Sequence, residues 1–80
     1  MAHTIQRLPA VKGDIGLSRS TIYLYIARGL WPRPVRLGAR AVGWPRSEVV
    51  AMNAARIAGK TDDEIRALVV RLEAARKAAA

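Results

Sequence analysis

Gly16-Leu17-Ser18-Arg19-Ser20-Thr21-Ile22-Tyr23 joins a glycine turn to a hydroxyl-capped helix start. The short side chain of Ser18 can accept a hydrogen bond from a backbone N–H of the next turn that has no partner inside the helix. Ile22 and Ile26, four residues apart, share a face that can seat this helix on a core, while Arg19, Ser20 and Thr21 are offered to solvent in its first turn. One face anchors, and the basic N-terminal turn is free to enter a DNA groove. Such turns also punctuate helices in proteins that bind nothing, so the flanking sequence has to decide.

Upstream, Leu8-Pro9 opens a short helix, since proline is tolerated where a first-turn N–H has no partner to lose. Leu8, Val11 and Ile15 form its apolar face, and Gly13 and Gly16 limit it to about two turns. Short helix, glycine turn and second helix follow in helix-turn-helix order. The second helix runs from Ser18 to about Arg28, with Gly29 as its terminator and Ile22, Ile26 and part of Tyr23 or Tyr25 facing inward. Leu24 is either packed on the following loop or exposed.

Downstream, Trp31-Pro32-Arg33-Pro34 cannot be helical, because both prolines lack a donor and hold the preceding residues extended. Val35-Arg36-Leu37, the turn Gly38-Ala39-Arg40 and Ala41-Val42-Gly43-Trp44 then read as a β-hairpin. Alternation turns Val35, Leu37, Val42 and Trp44 inward and leaves Arg36 and Arg40 outside. An arginine-tipped hairpin directly after a candidate reading helix is a wing, although loop arginines are also commonly just solvated. A third helix starts at Pro45 to Ser47 with Glu48 in its first turn. Val49, Met52, Ala55, Val50, Ala54 and Ile57 supply its apolar positions, and Gly59 stops it. Thr61-Asp62-Asp63-Glu64 is a capping box that opens a fourth, amphipathic helix. Its stripe of Ile65, Leu68, Val69 and Leu72 can pack on its own domain or pair with a second copy.

Composition agrees with a polyanion partner. The chain has 80 residues, with 14 Lys plus Arg against 6 Asp plus Glu, for a formal charge of +8. Arginine dominates, only Lys12, Lys60 and Lys77 being lysines, and planar arginine forks bind phosphate or guanine edges bidentately. A GC-rich genome would also favour arginine and alanine. No apolar run approaches the roughly 20 residues of a membrane span, and Met1-Ala2-His3-Thr4 is unlike a signal peptide, so a cytoplasmic location is expected. An enzyme is not expected either. There is no cysteine, the single histidine is His3, and the acidic residues sit at helix starts, so no nucleophile with a base, metal cluster or phosphate-binding loop can be assembled. No cofactor or small-molecule substrate is implied.

Arg7-Leu8-Pro9-Ala10-Val11-Lys12, Gly16 to Tyr23 and Pro32 to Trp44 together, in order, closely resemble the AlpA-like prophage regulators. That family is related to the excisionase and MerR-type winged-helix DNA binders. The resemblance covers about residues 5 to 58. It implies a winged helix-turn-helix whose second helix enters the major groove of duplex DNA and whose wing follows the backbone or minor groove. Carried over by position, Arg19, Ser20 and Tyr23 match the family's reading helix, and Arg36 and Arg40 its wing. It further implies excision or transcriptional control of prophage genes. Two positions depart from the pattern: Leu24, where the family carries Arg or Lys, and Leu30, a position that is often charged.

The fold expected is therefore mainly α with a small β-hairpin: a flexible arm over 1–6, a winged helix-turn-helix over 7–58 and a C-terminal helical extension over 59–80. Ser18, Arg19, Ser20, Thr21, Tyr23, Arg33, Arg36 and Arg40 are the expected DNA-binding residues. Trp31 and Trp44 are assigned to the core. Ile65, Leu68, Val69 and Leu72 are a candidate oligomerisation stripe for a homodimer or a cooperative array on DNA. Integrase or RNA polymerase are candidate protein partners. The competing expectation is a protein-interaction module that uses a Leu24-Leu30 patch and the last helix.

Overall fold

A computed structural model describes residues 4–78. The first element is a strand, β1 (Ile5–Arg7), followed by α1 (Leu8–Ile15), α2 (Arg19–Ala27), β2 (Val35–Arg36), β3 (Val42–Pro45), α3 (Arg46–Ile57) and α4 (Asp62–Ala78). The strands form one antiparallel sheet in the order β1-β3-β2. β3 is its centre. It pairs Gln6 with Trp44 and Arg7 with Gly43 on one side, and Val35 with Gly43 and Arg36 with Val42 on the other. Residues 5 and 6 are thus not the end of an arm, and the Thr4 carbonyl accepts from the Arg46 N–H at 2.7 Å. Three residues are too few for alternation to register, and the pairing partner is almost forty residues away. His3 lies outside the described residues.

The helix boundaries follow local chemistry. Gly16 adopts a left-handed conformation at φ 69°, and its N–H donates back to the Lys12 carbonyl at 2.9 Å, closing α1. Two residues later Ser18, extended at φ −74° and ψ 162°, caps α2 by accepting from the Thr21 N–H at 3.3 Å. At α4 the capping box is complete. Thr61 Oγ1 accepts from the Glu64 N–H at 3.2 Å, and Glu64 Oε1 accepts from the Thr61 N–H at 2.9 Å. The Thr61 backbone N–H, with the Thr61 hydroxyl beside it, favours the ionised carboxylate and lowers the Glu64 pKa.

Val11, Ile22, Leu30, Trp31, Trp44, Val49, Met52, Ala55, Ile65 and Val69 make one core, to which all four helices and β3 contribute. Both tryptophans are in it as expected, and the buried Trp44 indole N–H donates to the Pro32 carbonyl at 2.8 Å. Four expectations are corrected here. Leu30 is only 5% exposed, so it forms no surface patch with Leu24. The stripe of α4 is used within the chain: Ile65 and Val69 are buried, with Leu68 and Leu72 packed against the core. Full burial of Ile65 and of Val69 is worth roughly 1.5–3 kcal/mol each, which makes α4 part of the fold and commits its stripe to the chain's own core. Leu37 is 45% exposed, because the ladder ends at Arg36 and the Leu37 N–H already turns to the Ala41 carbonyl. Val50 and Ile57 also face solvent. The inward arc of α3 is filled by Glu48, Val49, Met52 and Ala55, and residue 50 lies a further 100° or so around the helix.

Candidate nucleic-acid interface

The first turn of α2 is built so that its cap is internally satisfied and its cation is not. Ser18 Oγ lies 2.9 Å from Thr21 Oγ1 and 3.5 Å from Ser20 Oγ, so the three hydroxyls form one small network over the helix start. Thr21 is half-buried in it, and Ser20 is exposed. Arg19 projects outward with its guanidinium 5.7 Å from the centre of the Tyr23 ring, one turn on. That contact sets the two side chains next to each other on one exposed ridge. There is no acidic residue in this turn. A cation at the positive end of a helix is disfavoured by about 0.3–1 kcal/mol, a penalty that an incoming anion would offset.

On the hairpin, Arg36 is exposed at the end of the β2–β3 ladder and Arg40 is exposed in the turn beyond it. The Arg33 side chain is exposed just before β2. Among the described residues the ion pairs are Arg66 with Asp63 and Arg76 with Glu48, so Arg19, Arg33, Arg36 and Arg40 have no carboxylate partner. No hydrogen bond between side chains links α2 to the hairpin among the described residues. The two groups of arginines are held separately, each by its own element.

Two arrangements escaped the sequence reading. Glu48 is 4% exposed and takes both Arg76 Nε, at 2.8 Å, and Arg76 Nη2, at 2.6 Å, in a forked ion pair that raises the Arg76 pKa. In the sequence Glu48 reads only as a first-turn acid, and nothing in the local pattern marks a partner 28 residues away. The second is a pair of main-chain contacts from α4 to Arg33. Its N–H donates to Glu73 Oε2 at 2.8 Å, and its carbonyl accepts from Arg76 Nη2 at 2.7 Å.

The family model described as "Prophage CP4-57 regulatory protein (AlpA)" matches residues 4–56. The chain belongs to this AlpA family. The matched segment opens just before β1 and runs almost to the end of α3, so it contains both the capped α2 and the arginine hairpin of this AlpA-family protein. ORF88 of Enterobacteria phage P4, described as an uncharacterized protein, is 52% identical over 54 residues. The alignment covers 68% of this chain and 61% of the phage protein, so this AlpA-family chain spans less than two thirds of that relative. No solved structure matches. α4 lies outside the family match altogether. Among the described residues no helix is long and apolar enough to cross a membrane, and no three His, Cys, Asp or Glu side chains are grouped to hold a metal ion.

Proposed function

We propose that this AlpA-family protein binds a specific duplex DNA site and acts from there as an excision factor, a transcriptional regulator, or both. The observation that carries this is the unpaired Arg19 on the capped, exposed first turn of α2. Arg19 reads a guanine edge in the major groove, with Ser20 and Tyr23 beside it. Ser18 and Thr21 serve mainly by holding that turn in shape. Arg36 and Arg40 neutralise phosphates or enter the minor groove, and Arg33 contacts the flanking backbone. A net charge of +8 supports the same reading by drawing the chain to a polyanion before any specific contact forms.

Excision control and promoter control use one binding surface and differ in where the site lies. The first brings the protein beside an integrase, the second beside RNA polymerase, both in the cytoplasm. Several copies can occupy adjacent sites, held by faces other than the buried stripe of α4. The chemistry at the site is binding alone, with no cofactor. The interaction-module alternative keeps Leu24, which is exposed, but has less to work with, since Leu30 and the α4 stripe are turned inward.

Titration of the full chain against a duplex from its own upstream region, beside a random duplex at near-physiological salt, tests the reading. Arg19→Ala is expected to lose roughly 1–3 kcal/mol on the preferred site and far less on random DNA. Equal losses on both would remove base reading, and failure to retain either duplex would overturn DNA binding itself.

A further inference from the structure

We infer that Glu73 and Arg76 of α4 are positioning residues for the wing: they hold the hairpin root at Arg33 and so set where Arg36 and Arg40 stand. The inference rests on the DNA-binding reading for its consequence and on the hydrogen bonds alone for its mechanism.

The root is packed through Trp31 and Pro32 but has few main-chain bonds of its own. Pro32 and Pro34 have no N–H, and β2 contributes two residues to the ladder, a length at which a hairpin alone is marginal in water. The Pro32 carbonyl is taken by the Trp44 indole. Of the main-chain groups next in line, the Arg33 N–H goes to Glu73 and the Arg33 carbonyl to Arg76. Both polar groups of the one donor-bearing residue between the prolines are therefore bonded to a helix in another part of the chain. With β3 fixed by β1 and by the buried Trp44, loosening at this point would free β2 and the turn beyond it, the part that carries Arg36 and Arg40.

The anchor is itself fixed. Ile65, Val69, Leu72 and Glu73, then Arg76, recur at three and four residues on α4, so the face that enters the core ends in the two polar residues at the wing root. Arg76 is held from its other side by the buried Glu48 carboxylate. One guanidinium bridges α3, α4 and the strand entry with three bonds, a geometry that the planar fork supplies and an ammonium does not. Stability alone does not call for such a pair, since apolar residues of similar volume commonly replace a buried ion pair without loss. Its distinctive product is the direction of the third bond, to Arg33.

Two sets of variants of the full chain test this, each read by amide hydrogen exchange over residues 35–43 and by the salt dependence of duplex binding. Glu73→Ala removes one tie without stranding a buried charge, and Glu73→Gln keeps an acceptor oxygen in place. The double variant E48M/R76M removes the ion pair and its bond to Arg33 while keeping the site filled. With thermal midpoints near wild type, Glu73→Ala and the double variant are expected to speed exchange of the Leu37 N–H about tenfold relative to core helix amides. Their log–log salt slopes should fall toward that of the R36A/R40A variant, and Glu73→Gln should restore both readouts. Wild-type exchange at the hairpin in the double variant, or a wild-type slope in it, overturns the inference. Should wild-type protein bind no duplex, the proposed function falls, and the exchange measurements still decide whether α4 braces the wing.

Discussion

Replacing Gly43 with alanine should damage the protein more than any other single methyl added to the hairpin. Gly43 sits in the middle strand, paired to Arg7 and to Val35 at once. A Cβ there would stand 2.6 Å from Ile5 Cγ2, 2.8 Å from the Gln6 carbonyl oxygen and 3.3 Å from Leu37 Cδ1. Ile5 and Leu37 can turn aside, both being substantially exposed. The Gln6 oxygen is backbone and cannot. Recovering ordinary contact requires β1 to retreat by about half an ångström or more, a backbone shift of the kind that costs about 1–3 kcal/mol. Alanine recovers about 0.4–1 kcal/mol of this by restricting the unfolded chain. The net loss of about 1–2 kcal/mol is a sizeable part of the roughly 4–12 kcal/mol available to a domain this small. It should lower the thermal midpoint by roughly 5–15 °C. Gly38→Ala, five residues earlier on the same hairpin, is the control: nothing lies within 4 Å of the added carbon, so its midpoint should hold or rise. Urea and thermal melts of the two variants read the difference. If Gly43→Ala melts with Gly38→Ala, β1 is not packed against β3 in solution and the three-stranded sheet is wrong.

Removing both wing arginines, in R36A/R40A, should lower the slope of log affinity against log salt by about 1.8, the expectation for two released counterions; an unchanged slope in an anisotropy titration takes the wing off the DNA. Gly13 lies within α1 with open space around it. Gly13→Ala should therefore stabilise by about 0.5–1 kcal/mol, and a lower urea midpoint would mean that the helix interior is not free there. At Glu64 the folded-state pKa is lowered by the Thr61 bonds, so the capping box stabilises α4 fully above the ordinary carboxylate value and loses that support as pH falls through the folded-state value. Protection factors of the first-turn amides of α4, corrected for the intrinsic pH dependence of exchange, should fall on acidification in wild type and much less in Glu64→Gln; parallel curves for the two would remove the box from the pH response.

Local signals carried most of the helical part of the fold. Gly16, the Ser18 cap and the Thr61–Glu64 box each work within three or four residues, and each stands where the pattern placed it. The hairpin was visible because proline pairs and alternation bracket its turn. What escaped depends on contacts between distant segments. Ile5–Arg7 becomes a strand because β3 has a free edge, a property of another segment. Leu30 beside Trp31 follows neither helical nor strand alternation, because both side chains enter the core where the chain leaves α2. On α3, apolarity alone could not separate Val49 and Met52 from Val50 and Ile57, since alanine and valine tolerate either side. Of the candidate site, the ridge of Arg19 and Tyr23 and the exposure of Arg36 and Arg40 follow from residue type and position. The grip of Glu73 and Arg76 on Arg33 needed the tertiary structure, because it joins side chains to backbone across some forty residues.

That separation also sets an order of events at the ribosome. The cap and body of α2 are complete by residue 27, and the hairpin has been synthesised by residue 45. The bonds at Arg33 must wait for residues 73 and 76, which are 40 and 43 positions later. A nascent chain therefore carries its basic ridge well before its wing can be tied down. A message broken ahead of codon 73 would yield a polypeptide with the arginines but without the brace. The charge of this surface is thus laid down early in synthesis, and its shape is finished only when α4 has been made.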